Sequence, residues 1–448
     1  MMNLDVGDKM KEKWNIWCQK QQKYIKWAMI GVLIVIFLML VTTALGSKGK
    51  LLKDQNGHYY REIKQENRTI HVPVFQDKKL NDETKKFQKR ILKNEKIKSL
   101  DYEIKATGDL TQVIWTKKET KKEQKETWVY HQKNHQAITL NQVFHNWNRE
   151  MEEEVITFLN LEWNRMIRTM TPPLPNDYQI QEEAKRAIAD ENWYIQNRKN
   201  DYHLYFEIEK ENKNYEVGIP FYILKDKINW KALGIEKKTD SWFQNYIKDR
   251  KAVAFTFDDG PNPNTTPTLI TEFGKRGMNA SFFMLGKNAE KYPEVVKMVD
   301  QNGFEIGSHT YQHRNLKRIS NEEQSYEINQ TKQVIYNTIG KNPTSIRPPY
   351  GNYNDVTLSY IDTPIVLWNV DTWDWKYRDA NTTYQNSIDK IEDGAIVLFH
   401  DIYYASVDAA IRMADELYMR GYLLLSVQEL ANAKHITLTP KTRYYHIP

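Results

Sequence analysis

The stretch AFTFDDGPNP, residues 254–263, places two carboxylates side by side, directly after an apolar run and directly before a Gly-Pro pair. Neighbouring side chains of a strand point to opposite faces, so both acids can serve one site only where the strand ends. The Gly-Pro pair favours such an ending, because proline cannot donate a hydrogen bond to a neighbouring strand. We therefore expect Asp258 and Asp259 where a strand opens into a loop.

Short apolar runs alternate with helical stretches from residue 250 onward. Helices are expected in TLITEFGKRG, in a segment through VVKMVDQNG, after the capping-box start SNEEQ, and in VDAAIRMADELYMRGY. The predicted strands are AVAFTF, ASFFML, FEIGSHT, TSIRPPYG, PIVLWNV, GAIVLFH and LLLSV. Repeated βα units of this kind predict an α/β fold with a parallel sheet or barrel.

Polar or ionisable side chains stand at the carboxyl ends of five of these predicted strands. In a βα barrel, functional residues gather at those ends. Ordinary turns would not place chemistry-bearing groups at one strand end after another, so the coincidence indicates an active site. The residues are Asp258 and Asp259, His309 and His313, Arg347 with Tyr350, Asp371 with Asp374 and Trp375, and His400 with Asp401.

The segment SHTYQH, residues 308–313, puts two imidazoles four residues apart. Alone, such a pair is more often two surface histidines than a metal site. Together with one carboxylate of the Asp-Asp pair, it makes a two-histidine, one-carboxylate set that suits zinc with an open position. The second carboxylate is then free to take a proton from the attacking water, so the pair divides into one ligand and one general base.

Arg347 and Tyr350 belong to the segment RPPYG. Arg347 is the available fork-shaped cation to hold the basic carboxylate and keep it ionised, although a structural salt bridge is the alternative. The prolines fix the loop, and Gly351 permits a sharp turn. The backbone N–H of Tyr350 could therefore point into the site as an oxyanion donor.

His400 follows the apolar strand AIVLF, and Asp374 lies in DTWDW. A carboxylate bonded to an imidazole raises its pKa, which keeps the imidazole protonated and able to serve as the acid for a leaving amine. Trp375 and Leu398 are core residues by default. They could equally form a small apolar pocket for a methyl group.

The motifs TFDDGP, HTYQH, RPPYG, DTWDW and LFHD occur in the order and spacing of the NodB-type polysaccharide deacetylases, carbohydrate esterase family 4. The resemblance covers residues 250–432 and implies a deformed (β/α) barrel. One departure is Phe399, where family members often have leucine, and it bears on the shape of the pocket. The implied roles are Asp258 as base, Asp259, His309 and His313 as metal ligands, Arg347 as orienting residue, Tyr350 as substrate-binding residue through its N–H, Asp374 as partner of the acid His400, and Trp375 with Leu398 as the acetyl pocket.

The whole chain resembles a Gram-positive peptidoglycan N-acetylglucosamine deacetylase. The resemblance implies one divalent ion, with zinc expected and cobalt, nickel or manganese compatible. It also implies a cell-wall glycan substrate, acetate as product and lowered susceptibility of the wall to lysozyme. The alternatives are another acetylated polymer (poly-N-acetylglucosamine, chitin oligomers or acetylxylan) and a non-catalytic wall-binding protein, although no ligand or base is lost from the motifs.

Residues 27–46, WAMIGVLIVIFLMLVTTALG, form an uncharged apolar run of the length that spans a bilayer. A cleaved signal peptide would have a shorter apolar region, so we expect a retained single-pass anchor in the cell membrane. Residues 1–26 hold six lysines against three acids, which predicts a cytoplasmic N-terminus and an extracellular remainder. The only cysteine, Cys18, lies in this tail, so the exported part has no disulfide.

The exported part carries no excess of basic residues that would indicate nucleic acid binding. Residues 47–100 are polar and are predicted to be a stalk or a small domain. Residues 101–240 are predicted to be an α+β module with a spacer or wall-docking role, and 433–448 a tail. Within the module we expect a hairpin with a long solvated turn at KKETKKEQKE (117–126), a helix ending before TPPLPND (171–177), and a hairpin over 201–224.

Overall fold

The structure is a computed structural model that describes most of the chain from residue 50 onward. The described residues are 50–65, 68–120, 122–132, 136–168, 179–198, 201–211, 213–237, 247 and 250–448. The predicted tail over 1–26 with Cys18, the predicted membrane helix over 27–46 and the break at 171–177 lie outside them. Within the described ranges, every helix is too short or too polar to cross a bilayer.

The chain divides into two compact units, Met1–Asp101 and Tyr102–Pro448. In the first unit, β1 and β2 pair antiparallel, as do β2 and β3, and the start of β4 pairs parallel with β3. Asp77 caps α1 by accepting from the N–H of Leu80, and the apolar face of the helix is buried. The elements are β1 (Lys50–Lys53), β2 (Tyr59–Gln65), β3 (Arg68–Pro73), α1 (Lys78–Lys93) and β4 (Ser99–Thr107).

The second unit begins with the region predicted as the α+β module. Its elements are β5 (Leu110–Lys118), β6 (Glu123–His131), α2 (Leu140–Val143), α3 (Arg149–Arg168), α4 (Gln181–Ala189), β7 (Trp193–Arg198), β8 (Asp201–Lys210), β9 (Lys213–Pro220), α5 (Phe221–Leu224) and α6 (Trp230–Leu233). Both predicted hairpins and the long helix are confirmed, since β5 pairs antiparallel with β6 and β8 with β9.

Two local expectations in this region are wrong. The charge run over 117–126 is mostly strand rather than a long solvated turn, because opposite charges pair across the hairpin. Nζ of Lys118 lies 3.4 Å from Oε2 of Glu123 at the directly paired position, and Lys117 pairs with Glu126 on the diagonal. The second hairpin ends at Pro220, and residues 221–224 form the short helix α5, which buries Phe221 and Leu224.

The region from residue 250 onward alternates strands and helices as predicted. The capping box expected at SNEEQ is present, with Ser320 and Glu323 bonded reciprocally. The strands are β10 (Ala252–Asp258), β11 (Ser281–Met284), β12 (Glu305–Ser308), β13 (Ile365–Val366), β14 (Val370–Asp371), β15 (Ile396–His400), β16 (Leu423–Leu425) and β17 (Arg443–Tyr444). The helices are α7 (Thr266–Lys275), α8 (Gly286–Lys291), α9 (Pro293–Gln301), α10 (Asn321–Ile339), α11 (Asp355–Tyr360), α12 (Asp374–Tyr377), α13 (Ala380–Ser387), α14 (Tyr404–Met419) and α15 (Val427–Ala433), with 3-10 turns at Leu316–Arg318, Pro349–Gly351 and Ile388–Lys390.

These strands form a parallel sheet in the order β12-β11-β10-β15-β14, and β16 pairs with the start of β10. The segment TSIRPPYG contributes only an isolated bridge at Ile346, which links β12 to β13, rather than the expected strand. The two prolines after Arg347 explain this, since neither can donate to a ladder. The result is a deformed, irregular barrel, in which β17 from the predicted C-terminal tail pairs with β13.

Buried residues of the predicted module and of the predicted catalytic domain belong to one hydrophobic cluster. Helix α3 packs on α14, where the Tyr418 hydroxyl donates to Glu162 at 2.5 Å and Arg168 binds Glu416 through two hydrogen bonds. Residues 102–448 therefore fold as one unit. The boundary predicted near residues 240–250 stays a prediction.

A substitution at Gly277, just after helix α7, tests whether the packing of the two predicted domains against each other contributes to stability. The φ of Gly277 is +58°, and an added Cβ would lie 2.6 Å from Cγ2 of Ile223 in the module. Gly277→Ala is expected to lower the free energy of unfolding by about 3 kcal/mol, because a left-handed backbone costs about 1–2 kcal/mol and overpacking about 1–3 kcal/mol. Thermal unfolding of the full chain measures the effect.

Two glycines provide matched controls for Gly277. Gly303 has a φ of +77° and Gly274 lies within α7, and an added Cβ at either position would meet no atom within 4 Å. Gly303→Ala should show only the backbone cost, and Gly274→Ala should be neutral or stabilising by up to about 1 kcal/mol. If Gly277→Ala were no worse than Gly303→Ala, packing of the module on this turn would contribute nothing to stability.

Candidate active site

The carboxyl ends of the parallel strands bring the predicted residues to one edge of the sheet. Asp258 ends β10, and His400 ends β15 at the directly paired position. His309 follows β12, and Asp374 follows β14. The structure thus brings these strand-end residues together, as predicted.

Asp258 and Arg347 form a buried ion pair. Both side chains are nearly inaccessible, and Nη1 of Arg347 donates to Oδ1 of Asp258 at 2.8 Å. The guanidinium also donates to the carbonyls of Val366 and Leu367 and to the Thr256 hydroxyl. Burial raises the pKa of Asp258 above its ordinary value, and the charge of Arg347 opposes that rise. The geometry suits an oriented carboxylate that accepts a proton.

Asp259, His309 and His313 bring one ligand atom each within 4.8 Å of one another. Oδ1 of Asp259 lies 3.7 Å from Nε2 of His309 and 3.5 Å from Nε2 of His313. This oxygen is buried and has no hydrogen-bond partner among the described residues. A buried acceptor without a donor, aimed at two imidazole nitrogens, fits a divalent cation and leaves Asp258 outside the set.

The tautomer of His309 also fits a metal ligand. Its Nδ1 lies 2.6 Å from the carbonyl of Arg347, so Nδ1–H donates there and the lone pair of Nε2 is left for a cation. Burial lowers the pKa of His309 to about 3, so the ring is neutral near neutral pH. Arg347 thus contacts the base through its side chain and a candidate ligand through its backbone.

His400 and Asp374 form the second charged pair. Nδ1 of His400 lies 2.9 Å from Oδ1 of Asp374, and the backbone N–H of His400 donates to Oδ2 of the same carboxylate. Burial lowers the pKa of His400, but the hydrogen bond and charge of Asp374 outweigh it, and the pKa rises to about 9. The imidazole is therefore a cation near neutral pH, the state that a general acid needs.

Tyr350 lies on the loop beside His313, a candidate metal ligand. Its backbone is left-handed, with φ 59°, and its ring contacts that of His313 with centroids 4.8 Å apart. Among the described residues, none accepts its backbone N–H. The N–H therefore stays available to a substrate oxygen, as the resemblance implies.

Leu398, Phe399 and Trp375 differ in where they point. Leu398 is buried on β15 two residues before His400, so the two side chains share a face of the sheet. Phe399 points the other way and packs on Phe255 and Phe257, with centroids 5.0 and 5.6 Å apart. The departure at Phe399 therefore affects the core and not the pocket. Trp375 is 43% exposed, so the interpretation of Trp375 as a core residue is wrong.

Asp401 is a site residue to which the sequence analysis assigned no role. It is buried against the turn after Asp259, where its carboxylate accepts from the Thr266 hydroxyl and its carbonyl from the Thr265 hydroxyl. An added Cβ on Gly260 would lie 2.4 Å from the Asp401 carboxylate. The strand-end position of Asp401 was a signal, but its partners Thr265 and Thr266 lie at the start of helix α7, about 135 residues earlier in the chain.

Asn288 is a second residue that the sequence analysis did not identify. Its side-chain amide, on helix α8, donates to the carbonyl of Asp259 at 2.8 Å. This bond fixes the backbone of a candidate ligand whose φ is 73°. Nothing in the sequence around Asn288 separates it from an ordinary polar helix residue.

The adjacent aspartates allow a matched test of the metal site. We expect Asp259→Asn to weaken zinc affinity by more than about tenfold, since even changes outside the ligand set cost 10–100-fold. Asp258→Asn carries the same chemical change one residue earlier and should keep the affinity. Competition with a chelator measures both. The opposite pattern, with Asp258→Asn losing zinc, would exchange the two roles.

Comparison with known proteins agrees with this geometry. A sequence profile described as "Polysaccharide deacetylase" matches residues 245–363. Peptidoglycan-N-acetylmuramic acid deacetylase PdaC of Bacillus subtilis is 39% identical over 186 residues, which are 42% of this chain and 40% of that protein. Peptidoglycan-N-acetylglucosamine deacetylase PgdA of Listeria monocytogenes is 35% identical over 187 residues, again 42% of this chain and 40% of that protein.

These two relatives are matched over less than half of their own length. A peptidoglycan-N-acetylglucosamine deacetylase of Bacillus cereus is 34% identical over 217 residues, which are 47% of this chain and 77% of that protein. The profile match and the coverage of the Bacillus cereus protein, joined to the five motifs at the strand ends, establish that this chain belongs to the polysaccharide deacetylase family.

Proposed function

We propose that this chain hydrolyses the N-acetyl group of N-acetylglucosamine residues in peptidoglycan, releasing acetate and leaving glucosamine. The observation that carries the proposal is the presence of three functional groups at one sheet edge. A candidate metal set (Asp259, His309, His313), an oriented carboxylate (Asp258) and a protonated imidazole (His400) meet there. Amide hydrolysis needs electrophilic assistance, a base for water and an acid for the amine.

The residues of the chain divide the proton transfers between them. Asp258, held by Arg347, takes the proton from the attacking water. The Tyr350 N–H donates to the oxygen that gains negative charge. His400, kept protonated by Asp374, gives its proton to the departing amine, so the amide C–N bond breaks without expelling an anion. A divalent cation bound by the three ligands would polarise the amide carbonyl and lower the pKa of water.

The names of the most similar relatives support a peptidoglycan sugar as the substrate. The Listeria and Bacillus cereus relatives are named as N-acetylglucosamine deacetylases, which supports that sugar here. The Bacillus subtilis relative is named as an N-acetylmuramic acid deacetylase, so that sugar is the second candidate. Either product would lower susceptibility of the wall to lysozyme if that hydrolase favours acetylated glycan.

The proposed location is the outer face of the cell membrane. The apolar run over 27–46 and the lysines before it support a single-pass anchor with a cytoplasmic N-terminus. A tethered enzyme in this position would meet the wall glycan without being released.

Acetate release by the full-length chain with zinc tests the proposal. Peptidoglycan, chitin oligomers and acetylxylan are the substrates, and mass spectrometry of digested peptidoglycan identifies which sugar has lost its acetyl group. We expect acetate from peptidoglycan, with the loss on glucosamine. Asp258→Asn should keep its zinc and lose at least about 100-fold in kcat, the lower range for a general base.

Three outcomes would contradict parts of this proposal. Acetate from acetylxylan alone would remove the cell wall as substrate. Loss of the acetyl group on muramic acid alone would favour the second candidate sugar. Undiminished turnover of Asp258→Asn would remove Asp258 from the role of base.

The pH dependence tests the role of His400. The protonated imidazole is the active form, so kcat/KM should fall as pH rises through about 9. Asp374→Asn removes the negative charge and weakens the hydrogen bond that raise the pKa of His400. Burial, which lowers that pKa, remains in the variant. The descending limb of the profile should therefore move to lower pH.

Asp379→Asn is the matched control for the pH profile. Asp379 is an exposed aspartate five residues further on, and it caps α13 by accepting from the N–H of Thr382 instead of contacting His400. Asp379→Asn should keep the descending limb of the kcat/KM profile at the wild-type pH. An unmoved limb in Asp374→Asn would show that His400 does not determine this part of the profile.

A further inference from the structure

The loop after β14 presents two tryptophans beside the candidate acid. Trp373 and Trp375 are 40% and 43% exposed, and their rings stack with centroids 5.6 Å apart and planes 26° from parallel. Asp374, between them in sequence, is buried and bonded to His400. The two tryptophans therefore flank, in the chain, the residue that bonds the candidate acid.

The backbone of Trp373 fixes the position of its ring. Its φ is 57° and its ψ 21°, a left-handed conformation that a bulky side chain rarely adopts. The Asp371 carboxylate accepts the N–H of Trp373 at 2.9 Å, and the hydroxyl of Thr372 donates to the Leu398 carbonyl at 2.7 Å. These bonds hold the loop to β15, so Trp373 is strained and positioned at the same time.

About two-fifths of the surface of Trp373 remains exposed to solvent. Trp375 covers part of the ring, and Nζ of Lys376 lies 5.0 Å from its centroid. A large, rigid aromatic surface of this kind contributes contact area at little cost in conformational freedom. A strained, exposed aromatic residue beside a reactive group indicates a ligand contact more than a core role.

We propose that Trp373 binds a sugar ring adjacent to the one that loses its acetyl group, and so sets a preference for longer glycan. The inference rests on the proposed function, because the occupant is the substrate of that site. The apolar C–H face of a pyranose matches an aromatic ring, and the glycan chain must continue past the reacting sugar. Trp375 keeps the role at the acetyl group that the resemblance implies.

Kinetics on N-acetylglucosamine and its oligomers, from monomer to hexamer, test this role with the full-length chain and zinc. We expect Trp373→Ala to raise KM for the hexamer about tenfold, the effect of losing one aromatic contact of about 1.4 kcal/mol. Its kcat, and its KM for the monomer, which has no adjacent ring, should stay close to wild type. Trp373→Phe should restore most of the hexamer affinity, since it keeps an aromatic ring at this position.

Tyr336→Ala is the matched control, because Tyr336 is a 49% exposed aromatic residue on helix α10. It should leave the kinetics on monomer and hexamer unchanged. Equal losses on monomer and hexamer, a loss in kcat alone, or no change in Trp373→Ala would each overturn the proposal and leave Trp373 with a structural role.

A binding measurement separates this inference from the proposed function. Hexamer is titrated into Asp258→Asn, and into Asp258→Asn combined with Trp373→Ala. Tighter binding by the single variant supports the inference even if the wild type releases no acetate, a result that would reject only the proposed function. Equal binding by both variants, or no binding to Asp258→Asn, would reject the inference.

Discussion

The buried ion pair between Asp258 and Arg347 is the constraint on which the rest of the site depends. A guanidinium that is fully buried must have its donors satisfied, and this one bonds a carboxylate, a hydroxyl and two carbonyls. The face of Phe283 lies 4.1 Å from its central carbon. Removing one partner of such a pair typically costs about 3–5 kcal/mol, because the other charge stays buried and unpaired.

The ion pair also joins the sheet where it is weakest. The segment around Ile346 supplies only isolated bridges between β12 and β13. Arg347, the next residue, reaches from there to Asp258 on β10 and to the carbonyl of Val366 on β13. The contact that orients the base therefore also compensates for the missing strand, which couples the chemistry of the site to the closure of the barrel.

The sequence predicted the catalytic geometry better than it predicted the packing. Strand ends such as Asp258 and His400 were predictable because alternating βα periodicity places every strand's carboxyl end at one edge. The contact of Asp401 with Thr266 was not, since it joins the end of β15 to the start of helix α7, which are far apart in the chain. Likewise, the apolar face of helix α3 was visible in the sequence, but nothing identified α14 as its partner.

The backbone conformation of the site residues could not be predicted from the sequence either. Asp259, Thr310, His313, Tyr350 and Trp373 all have positive φ values, and none is a glycine. Such conformations cost roughly 1–3 kcal/mol each and persist only where the surroundings impose them. The hydrogen bond from Asn288 to Asp259 is one such constraint. Sequence propensity opposes these conformations, so only the assembled fold reveals them.

The charges around Asp258 and His400 favour the protonation states that the proposed hydrolysis requires. The two residues occupy paired positions on β10 and β15, and the charge of each stabilises the charged form of the other. Burial raises the pKa of Asp258, which makes it a stronger base, while Asp374 raises that of His400 to about 9. The charges of Arg347 and His400 favour the carboxylate form of Asp258, and the charge of Asp374 favours the imidazolium form of His400. The combination that the proposed hydrolysis uses is therefore favoured by the charges that the fold places around the two residues.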